Sequence, residues 1–312
     1  MLSLHLIWFR EDLRLHDHAA LRAACHAAAR DQGQVAPIFI APLGEALITG
    51  APAAGRERLW QSLTDLRAAL AERGGILHLR HGAPEAVFSE LHRAYGLAAI
   101  HAHETITAGA SDRAMTAWSM RAGVPYRLYP QYGRSEWPVD TLEGRAAWQA
   151  FMARPRQALV ELPVGANMGE GRWPVLTDQN PALGSCRSQA ITMLRAFLSI
   201  EPHSAASVQR QVADARRGLD PFLELGVVSV REVWQAAMSA REQYARTGKD
   251  ARVAAIDSFA RTLPDLGAVL RHHRDLDRVR RVGKARPQTV RTGTQMSLDL
   301  PMPQGDGARL GV

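Results

Sequence analysis

The chain has 312 residues, of which 46% are apolar and 22% charged, a globular balance with length for two ordinary domains and not the composition of a disordered chain. No run of about 18 apolar residues occurs, so no transmembrane helix is expected, and Met1–Leu15 has no basic leader and meets charge at Arg10, reading as a strand rather than a signal peptide. The formal charge is +7, and Arg271–Val312 carries nine Arg/Lys against four Asp; such a stretch either attracts a polyanion such as nucleic acid or forms a solvated, solubilising face.

In chain order, Leu2–Trp8 is short, apolar and bounded by charge, which predicts a buried strand. His18–Arg30 is an alanine-rich helix and Val35–Ile40 a second strand. Gly55–Arg73 places Leu59, Leu63, Leu66 and Leu70 at helical spacing, and Ile76–Leu79 is a short strand. Pro84–Tyr95 opens with proline at a helix start and aligns Val87, Leu91 and Tyr95 on one face. Leu97–Ala102 is a strand, Ser111–Ala122 a helix with Ser111 as its N-cap, and Tyr126–Tyr129 a fifth strand. Strands alternating with helices predict right-handed crossovers: a five-stranded, Rossmann-like parallel sheet with helices on both faces and ligands at its carboxyl edge. No Gly-x-Gly-x-x-Gly follows the first strand and no Walker-type loop occurs, which argues against dinucleotide and P-loop sites.

Residues 130–185 are punctuated by Pro138, Pro155, Pro163, Pro174 and Pro181 and read as a connector with one helix near Arg145–Ala153. Its Gly165–Gly171 stretch is glycine-rich, but neither strand nor helix flanks it, so it is not read as a phosphate loop. Helical patterns resume at Arg187–Leu198, Ala205–Arg216, Ser229–Arg246, Ala251–Leu263 and Asp265–Val279; from Gly283 the chain is polar and aperiodic and is expected to be disordered. The expected organisation is an α/β domain over 1–130, a connector over 131–185, a partial helical domain over 186–282 and a tail over 283–312. Cys25 and Cys186 are too few for a disulfide framework or a metal knuckle and read as two reduced thiols of a cytoplasmic protein. His101 and His103 form His-x-His, but the alternation suits a strand end and no third ligand stands nearby in sequence, so no metal is expected.

The run Trp8-Phe9-Arg10-Glu11-Asp12-Leu13-Arg14-Leu15-His16-Asp17-His18, followed by Ala20-Leu21, closely resembles the opening of class I DNA photolyases and cryptochromes, whose pattern is Trp-Phe-Arg-x-Asp-Leu-Arg-Leu-x-Asp-Asn; His18 stands where the family has Asn. Arg10, Asp12, Arg14 and Asp17 alternate in sign within one loop and are expected to lock it by mutual pairing, bracing the α/β domain and its contact with the helical one rather than touching a chromophore. Glu104 followed by Arg113 is similar to the family's Glu…Arg-Asp segment, with Ala114 replacing the acidic residue.

Further on the resemblance weakens. Gly184-Ser185 with Ala190, Leu194 and Phe197 looks like the lead-in helix, and Leu219–Ser229 with Val233-Trp234 looks like the family's Thr-Ser-x-Leu-Ser-Pro-Tyr-Leu-x-x-Gly-x-x-Ser run. In the family the hydroxyls and amides of that run cradle the FAD phosphates. Here Arg216, Arg217 and Asp220 occupy the hydroxyl positions, and the carboxylate of Asp220 would repel a pyrophosphate. Ser258–Leu263 resembles Phe-Leu-Arg-Glu-Leu, but Pro264–Ala268 lacks the aromatic, guanidinium and carboxylate groups that follow in the family and line its lesion pocket. Trp8 and Trp234 match core positions, and none of the seven tryptophans matches the family's electron chain. The family's adenine pocket and flavin N5 partner would lie beyond this chain, so a self-sufficient deoxyribodipyrimidine photolyase is not expected, no catalytic residue is assigned and FAD is disfavoured. The resemblance leaves two expectations open: an accessory or interaction module in DNA repair and metabolism, or the antenna-carrying subunit of a split photolyase or blue-light sensor, holding a folate, deazaflavin or FMN and pairing with a second photolyase-like subunit.

In the tail, Gln295-Met296-Ser297-Leu298-Asp299-Leu300 resembles the hexapeptide by which bacterial proteins bind the sliding clamp. Gln295 would hydrogen-bond in a polar pocket while Met296, Leu298 and Leu300 fill an apolar groove. DNA and the clamp are therefore the expected partners, and no membrane is.

Overall fold

The computed structural model describes residues 2–41, 53–105, 109–133, 140–162, 165–173 and 184–266. The clamp-like residues Gln295, Met296, Leu298 and Leu300, the basic segment 271–312 and most of the expected helix Asp265–Val279 lie outside these.

Five parallel strands, β1 (Leu4–Phe9), β2 (Gln34–Ala41), β3 (His78–His81), β4 (Leu97–His103) and β5 (Tyr126–Tyr129), form one sheet in the order β3-β2-β1-β4-β5. Strict alternation divides its side chains. Leu6, Trp8, Ile38 and Ile40 face α3 (Pro84–Tyr95) and α4 (Gly109–Ala122) through Phe88, Leu91, Met115 and Trp118. Ile7, Phe9, Val35 and Phe39 face α1 (Ala19–Arg30) and α2 (Ala53–Ala71) through Leu21, Ala24, Leu63, Leu66 and Leu70. The predicted parallel sheet with helices on both faces is therefore present.

The second core does not stop at the sheet. It runs on into α5 (Leu142–Met152), α6 (Cys186–Ser199), α7 (Ala205–Glu224), α8 (Val230–Arg246) and α9 (Asp250–Thr262), burying Trp148, Phe197, Phe222 and Phe259 in the same cluster. Thr141, Ser185, Ser204 and Ser229 each accept from the amide three residues on and so start α5 to α8.

Three local expectations change. His18 is not in α1 but caps it, Nδ1 accepting from the Leu21 amide at 3.0 Å. Ser111 lies inside α4, which starts at Gly109. Helix α7 continues past Arg216 and through Pro221 to Glu224; burial of Leu219, Phe222 and Leu223 outweighs the hydrogen bond that proline removes. The glycine-rich stretch is a strap along the sheet: Gly165 bridges Val35, the Met168 amide donates to His78 Nε2 at 3.1 Å, and Leu79 donates to the Glu170 carbonyl at 2.8 Å. At Gly171, φ is +89° and a Cβ would meet the Leu79 carbonyl oxygen at 2.1 Å, so the glycine serves close packing, not phosphate binding.

Candidate functional site

The chain runs outward from β1 through β2 to β3, then returns to lay β4 and β5 on the other side of β1. The strand order reverses between β1 and β4, and a crevice at the carboxyl ends of these two strands is where ligands of such sheets bind. The residues gathered there come from the opening motif and from the end of β4.

Asp12 is their centre. Its Oδ1 accepts from the Arg10 amide at 2.6 Å, and its Oδ2 lies 2.9 Å from His103 Nδ1 and 3.0 Å from His18 Nε2. All three side chains are buried. Burial pushes the Asp12 carboxyl up, but the imidazoles of His18 and His103 more than offset this and hold it well below the usual carboxylate range. Burial lowers His18 as well, and pushes His103 down to about 3. The hub is thus one carboxylate and two neutral imidazoles at neutral pH.

Those are metal-ligand types, and Asp12 and His18 supply the neighbours that sequence spacing did not reveal beside His103. The tautomers oppose a metal. Because His18 Nδ1 accepts from Leu21, its proton sits on Nε2, facing Asp12, although the N–H points off the line to Oδ2. A metal on Nε2 would move that proton to Nδ1, against the Leu21 N–H. The arrangement fits a hydrogen-bond hub instead. His101 joins no ligand set: its Nδ1 is 2.9 Å from Tyr129 Oη and its Nε2 3.4 Å from His5 Nδ1.

Around the hub, Arg10 donates to Asp112 at 2.6 Å and to the His103 carbonyl, and lies 4.6 Å over the Trp8 ring. Tyr126 Oη donates to the same Asp112 oxygen at 2.8 Å. Two buried polar atoms here, Arg10 Nε and Glu104 Oε2, have no hydrogen-bond partner among the described residues. Buried polar atoms of this kind are rare without a ligand or water to meet them.

Arg10, Asp12, Arg14 and Asp17 do not pair their side chains with one another as expected; each reaches across the fold. Arg14 donates to the Gly226 carbonyl at 2.9 Å and to Gln131 Oε1 at 3.2 Å. Asp17, at φ 48°, accepts from Arg231 at 2.7 Å, Ser229 Oγ at 2.7 Å and the Gln157 amide at 3.0 Å. Leu13 donates to the Leu225 carbonyl at 2.9 Å. The backbones come so close that a Cβ on Gly226 would lie 2.1 Å from the Glu11 carbonyl oxygen. Within the loop the side chains meet only backbone, Arg10 N–H donating to Asp12 and Arg14 to the His16 and Asp17 carbonyls, and its long-range contacts brace the sheet against α7 and α8.

The flavin-phosphate positions fall in the middle of α7. An amide inside a helix is already committed to the ladder and cannot cradle an anion. Arg216 is turned inward, its Nε donating to Asp220 at 2.7 Å and its guanidinium to the Thr262 carbonyl at 2.5 Å and Thr262 Oγ1 at 2.9 Å. Arg217 is exposed and pairs with Asp214 at 3.2 Å. The residues present do not fit a flavin pyrophosphate: neither free hydroxyls nor free amides stand at 216–220. Trp8 is core as expected, and Trp234 packs against the core while remaining half-buried and lining a cavity with Trp148. Cys25 and Cys186 are both buried, and burial raises both thiols, Cys25 to about 11, so neither is poised as a nucleophile. No helix of the described residues is long and apolar enough to cross a membrane.

The DNA photolyase family model matches residues 5–143. The chain is similar to a DASH cryptochrome of Xenopus laevis, 28% identical over 72% of this chain and 50% of that one. It is also similar to an uncharacterised 31.6 kDa protein of Synechococcus sp., 27% identical over 77% of this chain and 90% of that one. Among solved structures, a class III photolyase from Agrobacterium tumefaciens superposes with a TM-score of 0.56 and 20% identity, over 86% of this chain and 60% of that one. The chain spans about half the length of the cryptochrome it matches.

Proposed function

We propose, from a chain whose residues 5–143 belong to the DNA photolyase family, that it acts as an accessory or interaction module in DNA metabolism and does not itself carry out flavin photorepair. One observation carries this reading. The positions expected to hold the flavin phosphates form an uninterrupted stretch of helix, and Arg216, the cation nearest that role, is already committed to Asp220 and Thr262. Without a pyrophosphate anchor the cofactor that supplies the excited electron has no seat. The tail motif Gln295–Leu300 and the basic segment before it support tethering to the sliding clamp and to DNA.

The direct test exposes a dimer-containing oligonucleotide to the purified chain, added FAD and blue light. The reading expects no dimer reversal above a protein-free control; light-dependent reversal would overturn it. Clamp tethering is tested by binding of the purified clamp, expected to be lost in Gln295→Ala and Leu298→Ala.

A second reading rests on the switch-point crevice. The buried Glu104 Oε2 and Arg10 Nε, without partners among the described residues, support a small chromophore there, a folate, deazaflavin or FMN, serving as antenna to a flavin-bearing partner. A stoichiometric near-UV or blue-absorbing ligand, lost in Glu104→Ala, would favour it over the first.

A further inference from the structure

A cavity of about 300 Å³ opens between α5, α8 and α9, remote in sequence from the switch-point hub. Its wall contains Trp148 and Trp234, whose rings meet edge to face with centroids 6.2 Å apart. Trp148 is buried, so the accessible aromatic surface is that of Trp234, backed by the indole edge. Two exposed guanidinium groups, Arg145 and Arg261, line the same cavity, and neither side chain has an ion-pair or hydrogen-bond partner among the described residues. Elsewhere on these helices arginines are engaged: Arg241 pairs with Asp257, Arg246 with Glu242, and Arg252 with Glu201. Of the two carboxylates on the wall, Asp257 is neutralised by Arg241 at 2.5 Å, which leaves Asp265 as the opposing charge. Among the described residues, two free cations therefore face one free anion around an indole surface.

We propose that this cavity takes one nucleotide, its base stacked on Trp234 and its phosphate held between Arg145 and Arg261. The chemistry is that of a flat π-system carrying an anion. Base–indole stacking tolerates any base, and a guanidinium fork matches a phosphate better than any other side chain does. The cavity volume lies at the lower end of small-ligand pockets, which suits one nucleotide and not a dinucleotide cofactor. Edge-to-face contact of the two indoles leaves no slot between them, so the base lies on one face and is not sandwiched. The same chemistry is offered by a free mononucleotide or by one nucleotide of a single strand. The site does not depend on the DNA-tethering reading: binding of a free nucleotide alone would leave that reading without support here, while the cavity assignment would stand.

The experiment follows quenching of tryptophan fluorescence in the full chain, titrated with thymidine monophosphate, with thymidine and with a ten-residue oligothymidylate. The proposal expects saturable quenching by the monophosphate, by the oligonucleotide or by both, and about ten-fold weaker binding of thymidine. Arg145→Ala and Arg261→Ala, both at exposed positions, are each expected to weaken binding about ten-fold, and Asp265→Asn to tighten it. Preference for the oligonucleotide identifies a strand as the source; equal affinity identifies a free nucleotide. No saturable quenching by either probe up to millimolar concentration overturns the proposal. So does binding that both arginine variants leave unchanged, which would put the ligand elsewhere on the chain.

Discussion

Asp17 is the residue on which the contact between sheet and helices turns, and its removal gives the sharpest stability test. Its carboxylate is buried and accepts from Arg231, Ser229 Oγ and the Gln157 amide. Burial alone would raise its pKa; the Ser229 and Gln157 hydrogen bonds and the Arg231 charge reverse this and hold it below the usual carboxylate value. In Asp17→Ala, Arg231 becomes a buried cation without its anion, a loss of about 3–5 kcal/mol, and alanine, which tolerates φ 48° less well than aspartate, adds under about 1 kcal/mol of backbone strain. Asp17→Asn keeps a residue that tolerates the left-handed region and one acceptor, so about half that loss is expected. Urea unfolding at pH 7.5 measures both. With about 2 °C per kcal/mol in a chain of this size, the alanine variant should melt roughly 10 °C lower. Arg231→Met should cost less in the Asn background than alone, because the two side chains interact directly. An alanine variant within about 1 kcal/mol of the parent, or strictly additive double variants, would refute the bracing role.

Three further outcomes follow from the same geometry. Gly226→Ala should destabilise by about 3 kcal/mol or more, through left-handed strain and a clash with the Glu11 carbonyl, while Gly248→Ala, at nearly the same φ but in open space, should cost only about 1 kcal/mol in chemical denaturation. Stability should decline on acidification from about pH 6.5, because His5, His18, His78, His101 and His103 all have folded pKa values below the unfolded value. Groups lowered in the fold contribute fully above the unfolded pKa and lose that contribution as pH falls toward the folded one; Asp12 and Asp17 add a second decline below about pH 4. A urea midpoint flat between pH 7.5 and 5 would contradict this. Finally, His18 should be the Nε2–H tautomer and His103 should carry its proton on Nδ1; long-range ¹H–¹⁵N spectra of the imidazoles read both directly, and an Nδ1–H tautomer for His18 would reopen the hub to metal.

Much of the fold was legible because it is local. Short, near-continuous apolar runs in Leu4–Phe9 and Gln34–Ala41 and helical spacing in Ala53–Ala71 dictate their elements without tertiary help. Helix α7 was not: its helical pattern reads only to Arg216, and the burial of Phe222 and Leu223 carries the helix on through Pro221. The opening motif announced a braced loop, but its charges suggested internal pairing. Their partners stand 91 residues away in the Asp12–His103 pair and 214 in the Asp17–Arg231 pair, distances that no spacing rule reaches. Glycine at 226 was visible as a family feature; the reason for it, the Glu11 carbonyl against its Cα, exists only in three dimensions. Arg216 and Asp220 were recognised as foreign to a phosphate site, yet that they neutralise each other four residues apart on one helix turned on α7 being continuous there.

The central claim is that residues 216–220 offer no seat for a flavin pyrophosphate. Its most direct test is equilibrium dialysis of the purified chain against FAD, read by the absorbance and fluorescence of the flavin retained. The account predicts no stoichiometric FAD, either as purified or at tens of micromolar added cofactor. One tightly held FAD per chain, weakened by Arg217→Ala or Asp220→Ala, would contradict it and return residues 216–220 to the role they have in the photolyases.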